Sequence, residues 1–338
     1  MRALVYEGPW QMPLRQVPAP EPQPGQVIVD VKAVGICGSD VHGFTGSTGR
    51  RQPPMVMGHE FSGLVSAVGP DVSRFRPGDR VIGNPILACG RCANCQAGRP
   101  NICSQRHVLG VDLNGAYADQ VALAESMVFP MPAGLSWEEA ALSEPLAVVL
   151  HAANRSPLAP GATVAIVGAG TIGLLTLLAA RLGGASQVMV TDLSPHRLAA
   201  ASRLGADVAV HAGEQDPLAA VLDLTGGRGA DVVLEAVGSS ATVQQALALV
   251  RSGGHVTWIG NSQPQVQLSM QSVVTREITI AGTYGFSGEF GQAIDLLATR
   301  AINATPLIEA RIGLEQGPEM IRRLAAGEVD LVKAIIEP

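Results

Sequence analysis

The chain has 338 residues, 47 % of them apolar and 15 % charged, with a formal net charge of −6. That length exceeds what one hydrophobic core normally serves, so two domains are expected, and the apolar content excludes a disordered chain. Lys and Arg are scattered without a basic run, which argues against nucleic acid as a partner, because phosphate binding needs a basic face.

Residues 1–30 are punctuated by Pro9, Pro13, Pro18, Pro20, Pro22 and Pro24 and read as a hairpin or meander that resumes as a strand at Val27–Val31. Met1–Glu7 meets an acid and then Gly8-Pro9 before any apolar run forms. No secretory signal is expected there, and the cytoplasm is the default location. Phe61–Val68 and Arg80–Ile82 continue the strand character around a Pro77-Gly78-Asp79 turn. Residues 1–135 are thus expected to be mostly strand and turn.

The pattern changes at Trp137, where Ser136 as N-cap and Glu139 at the third helical position form a capping box. Beyond it, strands are predicted at Thr163–Val167, Gln187–Thr191, Asp207–Val210, Asp231–Glu235 and His255–Ile259. Helices are predicted at Ile172–Leu182, Pro195–Leu204, Leu218–Thr225 and Thr242–Val250. Such alternation means a parallel sheet with helices on both faces. From about Phe286 two more helices and a last strand, Val332–Ile336, are expected. The apolar stretch Ala162–Ala180 is about as long as a membrane span. Its ordered glycines make it a strand, a turn and a helix instead, so no membrane association is expected.

That stretch contains Gly168-Ala169-Gly170-Thr171-Ile172-Gly173 between a strand and a helix. The glycines allow a tight turn and close approach of a pyrophosphate, and the helix N-terminus supplies amide donors. Asp192 ends the next strand, where an acid accepts ribose hydroxyls and repels a 2′-phosphate. NAD is therefore expected ahead of NADP, with the nearby Arg197 working the other way.

The chain has five cysteines. Cys89-x2-Cys92-x2-Cys95-x7-Cys103 places four thiols on a short loop, enough to close a tetrahedron around a structural zinc. An iron–sulfur cluster also takes four cysteines, but this spacing in a single group favours zinc. Cys37 remains, in Gly35-Ile36-Cys37-Gly38-Ser39-Asp40-Val41-His42. A lone Cys after a strand can be simple core. Gly58-His59-Glu60-Phe61-Ser62-Gly63 argues for more, since Cys, His and a carboxylate suit a zinc with an open position. Glu144 interrupts the apolar run Ala140–Ala153 and needs a partner, either a metal or a buried salt bridge.

Together these motifs resemble the zinc-containing medium-chain dehydrogenase/reductases, over essentially the whole chain. Gly58-His59-Glu60-x2-Gly63-x5-Gly69-x2-Val72 is similar to the family's zinc signature. Pro77-Gly78-Asp79-Arg80-Val81, the four-cysteine lobe and the Gly-rich loop follow in family order. The resemblance implies an α/β chain: a mostly-β GroES-like catalytic domain over 1–148 and 287–338, with a zinc lobe at 88–104, and a Rossmann NAD-binding domain over 149–286. It implies that Cys37 and His59 hold a catalytic zinc, that Asp40 orients His59, that Ser39 takes the substrate proton and that His42 is the outer end of the relay. Gly168, Gly170, Thr171, Ile172, Gly173, Asp192, Arg197 and Val237 are the implied cofactor contacts, with Glu235 and Gly238 in the matching fourth strand and Lys333 near the pyrophosphate. Alcohol dehydrogenases place a third cysteine where this chain has Glu144 in Ser143-Glu144-Pro145-Leu146. That is similar to the polyol branch of sorbitol, threonine, butanediol and galactitol-phosphate dehydrogenases, in which Glu60, Glu144 and water complete the shell in ways that vary.

The implied activity is hydride transfer from a polyol or other small secondary or primary alcohol to NAD, with two zincs per chain and a homo-oligomer, tetramer before dimer. Arg50 and Arg51 either meet an anionic group on the substrate or form a solvated loop face; the second reading is preferred. A zinc-free quinone or enone reductase and a non-catalytic NAD-binding zinc protein are the competing readings. The intact set of Cys37, Ser39, Asp40, His42, His59, Glu60 and Glu144 counts against both.

Overall fold

The computed structural model describes residues 1–338 as two compact units, Met1–Glu144 with Ser287–Pro338, and Pro145–Phe286. Glu144 closes the first stretch of the first unit.

The first unit is built on a seven-stranded sheet. Gln26–Gly35 lies at its centre, between Glu60–Val68 and Lys333–Glu337, and also pairs with Gln120–Ala124. All these pairings are antiparallel, and they bury Val27, Val29, Val34, Phe61 and Val65 in one core with Leu4, Met57 and Tyr117. Each large apolar side chain so buried stabilises by roughly 1.5–3 kcal/mol. The register matters for function. Gly35 sits opposite Glu60, and Ile335 sits opposite Gly35 on the other side. The sheet thereby brings residues far apart in sequence to the end of one strand. There the chain turns into a helix at Gly38–Phe44, whose pattern in the sequence is weakened by Gly38 and Gly43. Cys37 is its N-cap, with Asp40 returning to the Cys37 backbone N–H at 3.4 Å. The predicted box at Ser136 and Glu139 is present at the start of helix Trp137–Ala141.

The second unit is a six-stranded parallel sheet. Its order is Val208–His211, Gln187–Asp192, Thr163–Val167, Ala230–Glu235, Val250–Trp258, Thr279–Gly282. This is the doubly wound order, with the first strand central and buried along its length. The fifth strand starts earlier than predicted, through an irregular register at Ala230/Val232. Helix Met270–Thr275 and edge strand Thr279–Gly282 were not predicted; the strand's half-exposed residues lack alternation. No helix in the structure is long and apolar enough to cross a membrane.

Candidate functional site

The Cys37 thiol, the His59 ring and the Glu60 carboxylate offer ligand atoms within 4.8 Å of one another. The strand register accounts for this: Glu60 crosses directly over Gly35, where a Cβ would lie 2.0 Å from Glu60 Oε2. Only glycine at position 35 leaves room for that carboxylate.

Two buried ion pairs flank the cluster. Asp40 is fully buried; its Oδ1 accepts from Arg51 Nη2 at 2.7 Å and its Oδ2 from the Tyr117 hydroxyl at 2.6 Å. His59 Nδ1 faces Asp40 Oδ1 at 3.4 Å, which leaves Nε2 for a metal. Burial opposes the charge on Asp40, but His59, Arg51 and Tyr117 outweigh it and hold the carboxyl well below the usual range. Burial likewise opposes a charge on His59, and Asp40 and Cys37 raise its proton affinity well above normal. On the other side, Lys333 Nζ donates to Glu60 Oε2 at 2.7 Å and to the Ile36 carbonyl at 3.1 Å, with both ion-pair side chains 1 % exposed. Glu144 is buried outside the tight cluster, within electrostatic reach of His59, Glu60, Lys333 and Asp40. Burial pushes its pKa up to about 7, with Glu60 and Asp40 adding to the rise against His59 and Lys333.

The residues present fit a divalent metal. Cys37, His59 and Glu60 bring a thiol, an imidazole and a carboxylate together, and the Asp40 and Glu144 carboxyls lie beside them. A site that raises a histidine's proton affinity despite burial is a site for positive charge, and zinc supplies that charge with Cys, His and carboxylate donors.

The four-cysteine lobe fits a second zinc. Its thiols lie within 4.8 Å of one another, with Cys92 Sγ 3.5 Å and Cys89 Sγ 4.0 Å from Cys95 Sγ. A zinc tetrahedron with bonds of about 2.3 Å has sulfur–sulfur edges of about 3.8 Å. Cys89 is drawn down to about 6 by the backbone N–H groups of Arg91 and Cys92, while desolvation and its neighbour thiols push Cys95 up to about 12.

Ser39 and His42 lie three positions apart on helix Gly38–Phe44, hence on one face, and both are exposed. Partial desolvation and Arg51 hold the His42 pKa below its ordinary value.

In the second unit, strand Thr163–Val167 leads through Gly168-Ala169-Gly170 into helix Thr171–Leu182, whose N-terminus carries no side-chain cap. A Cβ at Gly173 would lie 1.8 Å from the Gly168 carbonyl, so glycine there lets helix and loop close up. Asp192 accepts the Ala169 N–H at 2.6 Å and the Ser194 N–H at 2.9 Å, fixing its carboxylate beside the loop. Val237 packs over Gly168, and Arg197 Nη1 comes within 3.9 Å of a Cβ built on Gly170. Thr171 and Ile172 open the helix. Asp192, Arg197 and Val237 therefore all gather around the loop.

Comparison with known proteins agrees with this layout. Residues 23–133 match the alcohol dehydrogenase GroES-like domain and residues 171–299 the zinc-binding dehydrogenase domain. The chain is 37 % identical to sorbitol dehydrogenase of Bacillus subtilis, covering 100 % of this chain and 97 % of that one. The chain belongs to the zinc-containing medium-chain dehydrogenase family. L-threonine 3-dehydrogenase of Bacillus subtilis is another relative, 34 % identical over 98 % of both chains. The structure of galactitol-1-phosphate dehydrogenase from Escherichia coli superposes with a TM-score of 0.93 at 28 % identity, covering 100 % of each chain. Zinc-dependent alcohol or polyol dehydrogenase chemistry with a nicotinamide cofactor is thus the family's activity.

Two expectations need correction in this dehydrogenase. Lys333, expected near a pyrophosphate, is instead fully buried in the first unit against Glu60, because a lysine in so dry a place needs a counter-charge. Arg51 is neither a solvated loop face nor a substrate clamp: it is 3 % exposed and paired with Asp40. Sequence reasoning missed Tyr117 altogether. Its position in Gly115-Ala116-Tyr117 carries no polar pattern, and only the fold brings its hydroxyl to Asp40.

Proposed function

We propose that this dehydrogenase oxidises a polyol or other small secondary or primary alcohol, passing hydride to NAD. The observation that carries this is the Cys37–His59–Glu60 cluster, its His59 and Glu60 buried, with Glu144 in electrostatic reach and no third cysteine beside it. Cys37, His59 and one of the two glutamates would hold a zinc, which would supply the Lewis acidity that lowers the alcohol's pKa. The Ser39 hydroxyl, exposed on its helix, takes the alcohol proton and hands it towards His42, whose depressed pKa keeps it a free base at neutral pH. Asp40 orients His59 through Nδ1. In the second unit the Gly168–Gly173 loop receives the pyrophosphate at its uncapped helix, and Asp192 takes the adenosine ribose. Asp192 supports NAD, while Arg197 beside Gly170 is the residue through which NADP could enter. A homo-oligomer, tetramer before dimer, is the proposed assembly, and five free thiols suit the reducing cytoplasm.

The test is a panel of polyols, vicinal diols, sugar alcohols, their phosphates, threonine and simple alcohols, with NAD or NADP and with or without a zinc chelator. Chelator-sensitive NADH formation with one polyol class is expected. Turnover that survives complete removal of zinc, or the absence of chelator-sensitive turnover with every alcohol of the panel, overturns the reading.

A further inference from the structure

Arg51 is one of the most completely buried cations in the chain, and its three nitrogens go to three separate acceptors. Nε donates to the Gly110 carbonyl at 3.0 Å, Nη1 to the Ser39 carbonyl at 2.9 Å and Nη2 to Asp40 Oδ1 at 2.7 Å. Its Nη2 also stands 3.5 Å from Ser39 Oγ. Burying a guanidinium is costly unless each donor is matched, so a loop that needed only filler would be served better by an apolar side chain.

We propose that Arg51 is a positioning residue for the catalytic zinc site: its fork ties helix Gly38–Phe44 to the Gly110 turn and sets the Asp40 carboxylate against His59. The inference rests on the zinc-dehydrogenase reading above and extends it to a residue outside the ligand set. Three observations carry it. First, Asp40 Oδ1, the oxygen that Arg51 grips, is the one facing His59 Nδ1, while Tyr117 holds Oδ2. With both oxygens held, the carboxylate cannot rotate away from the imidazole. Second, the same fork holds the backbone of Ser39, whose hydroxyl takes the substrate proton. One side chain therefore sets the spacing between a zinc ligand and the proton acceptor. Third, the helix leaves space for it. A Cβ on Gly43 would lie 2.5 Å from both Arg51 Cδ and Nη1. Alanine is ordinarily the better helix former, so the glycine is explained by the guanidinium packed over it.

The test uses the zinc-loaded full chain as wild type, Arg51→Met, Arg51→Lys, Gly43→Ala and the Met/Ala double variant. Zinc retention is measured by chelator competition, with the four-cysteine zinc as internal standard, alongside separate kcat and KM values. Arg51→Met should weaken the catalytic zinc by roughly 10- to 100-fold, the range for residues that orient a ligand, and leave the lobe zinc unchanged. It should lower kcat more than it changes KM. Arg51→Lys should recover only part of the loss, because an ammonium cannot span the three acceptors of a planar fork. Gly43→Ala should weaken the same zinc by itself and add little on top of Arg51→Met, since both act on one contact.

A folded Arg51→Met with wild-type zinc affinity and kcat overturns the proposal, as does full additivity of the two substitutions. If Arg51→Met does not fold, wild-type zinc affinity in both Arg51→Lys and Gly43→Ala overturns it equally. A wild type that binds only the lobe zinc has a different meaning: it overturns the catalytic-zinc reading itself.

Discussion

The two metal centres of the first unit are built by opposite means. The lobe takes all its ligands from residues 89–103, three of them half-buried. The Cys37–His59–Glu60 centre draws its groups from strand ends and turns spread from Cys37 to Lys333, packs all but the half-buried Cys37 in the dry interior, and surrounds them with Asp40, Arg51, Tyr117, Glu144 and Lys333. A centre made of four thiols within one loop needs the metal to hold the loop and little else. A centre that must leave a ligand position open needs its surroundings to hold the ligands still and to balance charge. The difference separates a metal that serves folding from one that serves chemistry.

That contrast is broken most directly at the thiols. Cys37→Ser should abolish the catalytic zinc and lower kcat/KM by roughly a thousand-fold or more, about 4 kcal/mol of transition-state stabilisation, with little change in the thermal midpoint of unfolding. Cys95→Ser should do the reverse: lower the midpoint by about 4–7 °C, for about 3 kcal/mol lost, while the protein that remains folded keeps its kcat. Equal effects of the two substitutions on both readouts would dissolve the distinction.

Lys333→Met sharpens the electrostatic half of the comparison. Removing one partner of a buried ion pair costs about 3–5 kcal/mol, because the other charge is stranded. A metal facing Glu60 would be its second partner, so the loss should be large in chelator-stripped protein and smaller in the zinc-loaded one. Denaturant unfolding of both forms measures it; an identical loss in each would mean that Glu60 does not face the metal.

Glu144 gives the smallest effect and has a defined sign. Its folded pKa of about 7 lies above the ordinary 4.5, so between those values the folded chain binds the extra proton. In the metal-free protein its contribution to stability therefore falls as pH rises from about 4.5 to about 7 and stays low above that. Glu144→Gln should stabilise metal-free protein by roughly 1–3 kcal/mol at pH 8 and make no difference at pH 4. Unfolding midpoints at the two pH values check this, and an advantage that grows towards acid would show that burial does not govern the group.

Much of this was legible from residues alone wherever the information is local. The Cys89–Cys103 spacing, the Ser136 and Glu139 box, the Gly168–Gly173 loop and the strand–helix alternation after residue 160 each lie within a short window, and each has its expected element. What escaped is long-range. Tyr117 meets Asp40 from 77 positions away and Lys333 meets Glu60 from 273. No periodicity records such pairings, because strand register creates them. Arg51 was misread for the same reason: beside Arg50 in a polar stretch it looks like a solvated loop residue, and only the fold closes over it. Helix Gly38–Phe44 escaped because Gly38 and Gly43 depress its propensity.

Cys37 occupies two positions at once, member of the Cys37–His59–Glu60 cluster and N-cap of helix Gly38–Phe44, where the Ser39 N–H points at its sulfur at 3.5 Å. A helix of seven residues is too short to persist without anchorage, and here one anchor is the sulfur itself. Loading state and local order are therefore linked: amide hydrogens along this segment should exchange slowly while the sulfur is held and faster once it is released. The chain would then carry a readable record of its own metallation in a stretch of backbone that never touches the metal.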